Sequence, residues 1–282
     1  MAAVEGFMTP ALEALRTGVA PVVAAFEPYN QYEHLDVAYV VEGVALMYLA
    51  WAAATLVCSV TPVFKNAPMY AAYCFVGMVP ICMLTYEGLM SFHEPTPETV
   101  EGRTYDFYDA SARICMIQII YQVFGIGVAF IAQGTLLSTI MIVHHVCTLT
   151  LGFINLNPFV HYHIIFFGGV IELSNIPLSV MDIFKSFPEL QDIAPALNNI
   201  CRYLFAIFFL VLRVALWLTY GLRFHLDCIE LLRTGTAHSN ATVVINQVLN
   251  LILTAMQLLW ASKVVKSLLK ALGLTSSKKK SV

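Results

Sequence analysis

Residues 135–156 read TLLSTIMIVHHVCTLTLGFINL, a run without an Asp, Glu, Lys or Arg. Crossing the hydrocarbon core of a bilayer takes about 20 apolar residues in a helix, so this run is long enough to cross. Two adjacent histidines, His144 and His145, stand near its middle. Outward from it the pattern repeats at 37–59, 68–91, 113–133, 160–181, 199–222 and 243–266. Seven such runs predict an all-α, polytopic membrane protein. The composition agrees, with 59% hydrophobic and 12% charged residues, against roughly 25% charged in a soluble domain. A chain so poor in polar surface cannot face water all round, which excludes soluble enzymes and nucleic-acid partners.

The segments between the runs divide the chain. Residues 1–36 read as an N-terminal segment with a short amphipathic helix, carrying Met8, Leu12 and Leu15 on one side. Residues 37–65 hold the first crossing and its loop, 66–270 the other six runs, and 271–282 a basic tail. A proline-broken acidic loop spans 94–109, and Asn157-Pro158 marks a tight turn. The seven cysteines form no CxxC pair, so they read as small buried hydrophobes rather than a zinc site or disulfide framework. No cleavable leader is expected, because the start lacks a basic segment followed by an apolar core.

Charge asymmetry predicts orientation. Seven crossings put the termini on opposite sides. The side of Lys65, Lys185, Arg202, Lys263, Lys266, Lys270 and Lys278 to Lys280 holds 9 basic and 3 acidic residues. The opposite side holds 5 basic residues, Arg103 among them, and 12 acidic ones. The lysine side is therefore expected to be cytoplasmic, with the N-terminus lumenal. Lys279 and Lys280, third and fourth from the last residue, match a di-lysine signal for retrieval to the endoplasmic reticulum by coat machinery. Asn240-Ala-Thr242 is a glycosylation sequon, too close to the seventh run for modification to be expected.

Charged groups at membrane depth are costly and mark function. Here they are Glu42, Glu87, His144, His145, Glu172 and Arg213, with Gln118, Gln122, Asn175, Asn246, Asn250 and Gln257 beside them. Counting about 1.5 Å per residue, His144 and Glu172 lie at similar depth on adjacent antiparallel runs. One of the two histidines should face the interior, meeting Glu172 either as a structural contact or as a proton-transfer pair. Glu42 and Glu87 are expected to face each other. His161 and His163, at the start of their run, read as interfacial. No metal site is expected, because further convergent ligands are missing.

At these residues the chain resembles the TLC-domain family, membrane proteins that include the ceramide synthases and their non-synthase relatives. The resemblance rests on His144-His145-Val-Cys-Thr148, Gly169-Val-Ile-Glu172-Leu-Ser-Asn175, Asn199 to Arg213 with its phenylalanines, and Gln257-Leu-Leu-Trp260 with Lys263. It implies a six-helix barrel over about 66–270, with the first crossing outside it. The synthases carry a longer polar motif after the histidine pair, where this chain has Phe166-Phe167-Gly168-Gly169. The pattern is thus closer to the non-synthase members.

The resemblance implies a lipid-handling protein of the endoplasmic reticulum, binding or modifying an acyl lipid in an intramembrane cavity. Membrane lipid homeostasis and sphingolipid-type acyl transfer both fit. In the enzymatic version His144, His145 and Glu172 are the catalytic candidates, and acyl-CoA is the donor. Thr148, Asn175, Arg213, Gln257 and Trp260 are the candidate lipid-binding residues. No cofactor is called for, and membrane lipids are the expected partners. Whether the chain is an enzyme stays open, and a structural or assembly subunit of a membrane complex is the alternative. Two further classes fit less well. A fatty-acid elongase should have a His where Met141 stands, and a retinal-type receptor should have a mid-membrane lysine on the seventh helix, where Lys263 lies near the end.

Overall fold

The computed structural model describes residues 2–30, 34–92 and 95–271. Within them the chain is helical, with no strand. The order is α1 Ala2–Phe26, α2 Val37–Val60, α3 Pro68–Ser91, α4 Val100–Tyr105, α5 Asp109–Ala132, α6 Thr139–Ile154, α7 His161–Ser186, α8 Glu189–Ile193, α9 Pro195–Thr234 and α10 Asn240–Ala271. Lipid offers no partner for a free backbone group, so apolar runs of this length settle as helices. Their starts are marked in the sequence. Asp36, Thr99 and Ser138 each accept a backbone N–H of the following turn, which satisfies one of the open donors there. Pro68 and Pro195 open α3 and α9, where a missing N–H costs nothing. Gly235, with φ 70°, ends α9 in the left-handed conformation that glycine adopts freely.

Among the described residues six helices are long and apolar enough to cross a membrane, and the protein is a multi-pass, all-α membrane protein. The seventh run departs from expectation. Its helix, α6, has 16 residues and is about 24 Å long at 1.5 Å per residue. Two residues with positive φ, Gln133 and Gly134, precede it, and a non-helical stretch at 155–160 follows. In that stretch Asn155, Leu156, Phe159 and Val160 are buried in protein, a setting that tolerates irregular backbone at membrane depth. The N-terminal helix is 25 residues long rather than short. It lies along α2, where Arg16 pairs with Glu42 at 3.2 Å.

The bundle has two distinct end faces. At one, Phe64 of the α2–α3 connection packs on Phe187 of the α7–α8 connection, 5.0 Å between rings. At the other, Tyr105 Oη accepts from His238 N–H, and Val160 N–H donates to Thr104 O at 2.7 Å. We call these the tail face, where α10 ends, and the head face. α5 is the central post, packed by α2, α3, α6 and α7. Its cores include Met47, Trp51, Ile120 and Phe124 toward α2, and Leu84, Ile114 and Ile117 toward α3.

α3 touches α7 backbone to backbone. A Cβ on Gly88 would run into the Gly169–Val170 backbone, so only glycine allows the approach. There α7 forms a π turn over Ile165–Gly169 and a 3₁₀ turn over Val170–Ser174 before resuming as α-helix at Asn175. α9 is likewise π-helical over Phe209–Leu216. Glu42 and Glu87 do not meet. Each has an arginine instead, Arg16 for Glu42 and, at 2.9 Å, Arg113 for Glu87.

Candidate functional site

Two cavities meet inside the bundle. The larger, about 550 Å³, runs from the middle of the bundle to Lys185 and Lys263 near the tail face. Aromatic side chains form much of its wall, among them Tyr70, Tyr73, Tyr121, Phe205, Phe209 and Trp260. A polar row of Glu172, Asn175, Ser179 and Asp182 lines it along α7, at the three- and four-residue spacing that puts side chains on one helix face. The narrow cavity, about 80 Å³, lies between α6, α7, α9 and α10 and reaches Asn155 and His163 toward the head face. His144, Thr148, Glu172 and Arg213 line both cavities. They form the waist.

Every site residue expected from sequence lines one cavity or both. His145 and Asn175 line the larger, with Trp260, and Gln257 lines the narrow one. The two histidines divide as adjacent helical residues must. His145 is buried against α5, and His144 is half-buried, its ring edge-on to Trp260 at 5.7 Å between centroids. No hydrogen bond joins either histidine to Glu172 among the described residues, so the expected direct pair is replaced by two networks that meet at Gln118.

The first network fixes the hydrogen on His145. Gln118 Nε2 donates to the Gly168 carbonyl at 3.2 Å, which can only accept, so Gln118 Oε1 faces the other way. That oxygen takes an N–H from Gln122 at 2.7 Å, which turns Gln122 Oε1 toward His145 Nδ1. Nδ1 must therefore carry the hydrogen, and in a neutral imidazole Nε2 is then the acceptor. The ring stands on a residue without a side chain, since a Cβ on Gly125 would lie 3.2 Å from Cε1 of His145. Gln118 and Gln122 stand out in the sequence only as polar residues at depth. Their spacing of four on α5 was the signal that they act in series.

The second network holds Glu172. Asn175 Nδ2 donates to its Oε2, and Arg213 NH2 lies 3.7 Å from Oε1. Arg213 Nε donates to Ser174 Oγ at 2.7 Å and its NH2 to the Ile171 carbonyl at 3.3 Å. The π and 3₁₀ turns of α7 break the regular backbone ladder, and the carbonyls of Gly168 and Ile171 in this stretch accept from side chains. The waist is thus held by irregular backbone from two helices. Its carboxylate and guanidinium largely cancel in charge. Thr148 donates to the His144 carbonyl at 2.9 Å, which holds its hydroxyl against α6.

A third polar group, toward the head face, overturns one expectation. His161 and His163 are not interfacial but fully buried in protein, and Arg103 and Asp227 are buried with them. Arg103 grips Asp227 with Nε at 2.8 Å and NH2 at 2.6 Å, and its NH1 donates to the Pro97 and Glu98 carbonyls. His163 Nε2 lies 3.2 Å from the same carboxylate. His161 instead ties its loop, with Nε2 2.9 Å from the Asn155 carbonyl and Nδ1 accepting the Tyr108 N–H at 3.2 Å.

The comparisons with known proteins bear on the region that holds all three networks. The family model described as the TLC domain matches residues 69–266. No curated protein and no solved structure matches the chain.

Proposed function

The chain belongs to the TLC-domain family, and from this premise we propose that it binds an acyl lipid in the larger cavity, with the polar end of the lipid at the waist. The observation that carries the reading is the meeting of a ligand-sized, aromatic-walled cavity with His144, His145, Glu172 and Arg213. Its volume lies within the roughly 300–1,000 Å³ of small-molecule sites. An apolar chain satisfies the tyrosine and phenylalanine walls, and a head group with donors and acceptors satisfies the polar row along α7.

One observation favours acyl transfer as the chemistry. His145 has its Nδ1–H held by Gln122, which leaves Nε2 as a base on a residue lining the larger cavity. In that reaction Nε2 takes the proton of a lipid amine or hydroxyl as its N or O attacks the thioester carbonyl of acyl-CoA. The C–S bond breaks, and the departing thiolate takes the proton back from His145. The test is mass spectrometry of lipids extracted from the purified protein, beside an assay with acyl-CoA and long-chain amines. A bound acyl lipid in the wild type that is lost in His145→Ala and His144→Ala, at unchanged melting temperature, supports binding at the waist. Product formation abolished by His145→Ala adds the transfer reaction. Protein free of lipid and inert in the assay overturns both.

Residence in the endoplasmic reticulum is part of the proposal, supported by the di-lysine sequence, which lies outside the described residues. Changing Lys279 and Lys280 to Ser should move a tagged copy to later membranes in fluorescence microscopy. A copy that stays in place removes the retrieval reading.

A further inference from the structure

The narrow cavity has walls of an unusual kind for a membrane interior. Seven buried side-chain polar atoms have no hydrogen-bond partner among the described residues, and five of them belong to residues lining this one space. They are His144 Nδ1, Asn155 Oδ1, His163 Nδ1, Asn250 Oδ1 and Gln257 Oε1. Four of the residues are nine-tenths buried or more, with Asn155 and Gln257 2% exposed, His163 1% and Asn250 5%.

Two of these acceptors are fixed as acceptors by their neighbours. Asn246 Nδ2 donates to the Thr242 carbonyl at 3.1 Å, so its Oδ1 must be the atom facing Asn155. Asn155 answers with Nδ2 at 2.9 Å, which leaves its Oδ1 without a donor. His163 gives Nε2–H to Asp227, and on a neutral ring Nδ1 is then a lone pair. An acyl chain cannot satisfy such a wall, since each buried acceptor left open costs about 1–3 kcal/mol. The occupant must bring hydrogens.

Size narrows the choice. One water needs roughly 10–15 Å³ on the measure used for such cavities, so the 80 Å³ present takes about five or more. His144 and Asn155 are eleven residues apart on α6, about 16 Å at 1.5 Å per residue. Five waters in single file, at about 2.8 Å per hydrogen bond, cover nearly that distance.

We infer that the narrow cavity holds a file of ordered water joining the waist at His144 to the His163–Asp227–Arg103 group beneath the head face. The file gives the waist a route for protons that does not pass through the lipid-lined cavity. At its far end His163 can accept a proton at Nδ1 and release the one at Nε2 to Asp227. The inference is independent of which lipid the larger cavity holds.

The test is X-ray radiolytic footprinting of the detergent-solubilised full chain in H₂¹⁸O, where hydroxyl radicals born from bound water oxidise the side chains beside it. Phe224 and Leu253 line the narrow cavity and are 3% and 7% exposed, while Phe124 and Leu84, at 0%, are buried away from both cavities. Phe224 and Leu253 should be oxidised several-fold faster than Phe124 and Leu84 and should carry ¹⁸O. Asn250→Leu, which fills the file with carbon, should remove that difference and lower the melting temperature. Equal, slow oxidation of all four residues overturns the inference. So does a rise in melting temperature for Asn250→Leu, the sign that a dry, unsatisfied acceptor has been removed. Labelling that appears only after lipid extraction would mean that a lipid hydroxyl occupies the space, and this too overturns it. If Asn250→Leu does not fold, the wild-type labelling decides.

Discussion

Glu172 and Arg213 show how a charge is kept inside a membrane protein. Both are buried, the carboxylate by Asn175 and Arg213, the guanidinium by Ser174, Ile171 and Glu172. Removing one partner strands the other, and a broken buried pair costs about 3–5 kcal/mol. Glu172→Leu should therefore lower the melting temperature in detergent sharply. Glu172→Gln should lower it less, because the amide still accepts from Asn175, and Glu172→Leu with Arg213→Met should recover most of the loss. A double variant as unstable as Glu172→Leu alone would mean that the pair does not act as a unit. Sequence reading reached this residue and its depth, because a carboxylate amid Val170, Ile171 and Leu173 has few explanations. It could not reach the partner. Depth counted along a straight helix put Glu172 opposite the histidines, and the π and 3₁₀ turns rotate the carboxylate toward α9 instead.

At the scale of elements, the informative helices are the irregular ones. Hydropathy marks where a helix must exist, and the runs read from 37 and 68 begin where α2 and α3 do, whereas those read from 135 and 199 miss the starts of α6 at Thr139 and α9 at Pro195. It says nothing of turns that break the ladder, because a π turn is built from the same apolar residue types as an α turn. His163 was misplaced for that kind of reason. A position near the start of an apolar run lies near the surface only if the preceding loop stays outside, and residues 155–160 fold in. The α3–α7 contact sets how close the waist can come to α5. Gly88→Ala would drive a methyl into the Gly169 backbone, and overpacking of a tight core costs about 1–3 kcal/mol. The clash is with backbone rather than with a flexible side chain, so only a shift of α7 as a whole relieves it, and the upper end of that range is expected. Thermal melts would read it, together with loss of co-purified lipid as α7 moves off. A Gly88→Ala protein that melts and binds like the wild type would show that the helices are not in contact there.

Over the whole molecule, polar ties fasten the head face and apolar packing fastens the tail face. Arg103 from α4, Asp227 from α9 and His163 from α7 converge across more than a hundred residues of sequence. Asp227→Ala would leave a buried guanidinium without its carboxylate, again about 3–5 kcal/mol, and limited proteolysis should then cut the α3–α4 loop first. Asp227→Asn should be intermediate, since one acceptor remains for Arg103. Unchanged proteolysis in Asp227→Ala would show that the loop is held by other means. The short α6 has a different consequence. About 20 residues make a helix that spans a bilayer, and α6, the bearer of both candidate histidines, has 16. What its length lacks its neighbours supply: the stretch at 155–160 that follows it is largely buried in protein, so the histidines are held at their level by the fold rather than by the lipid.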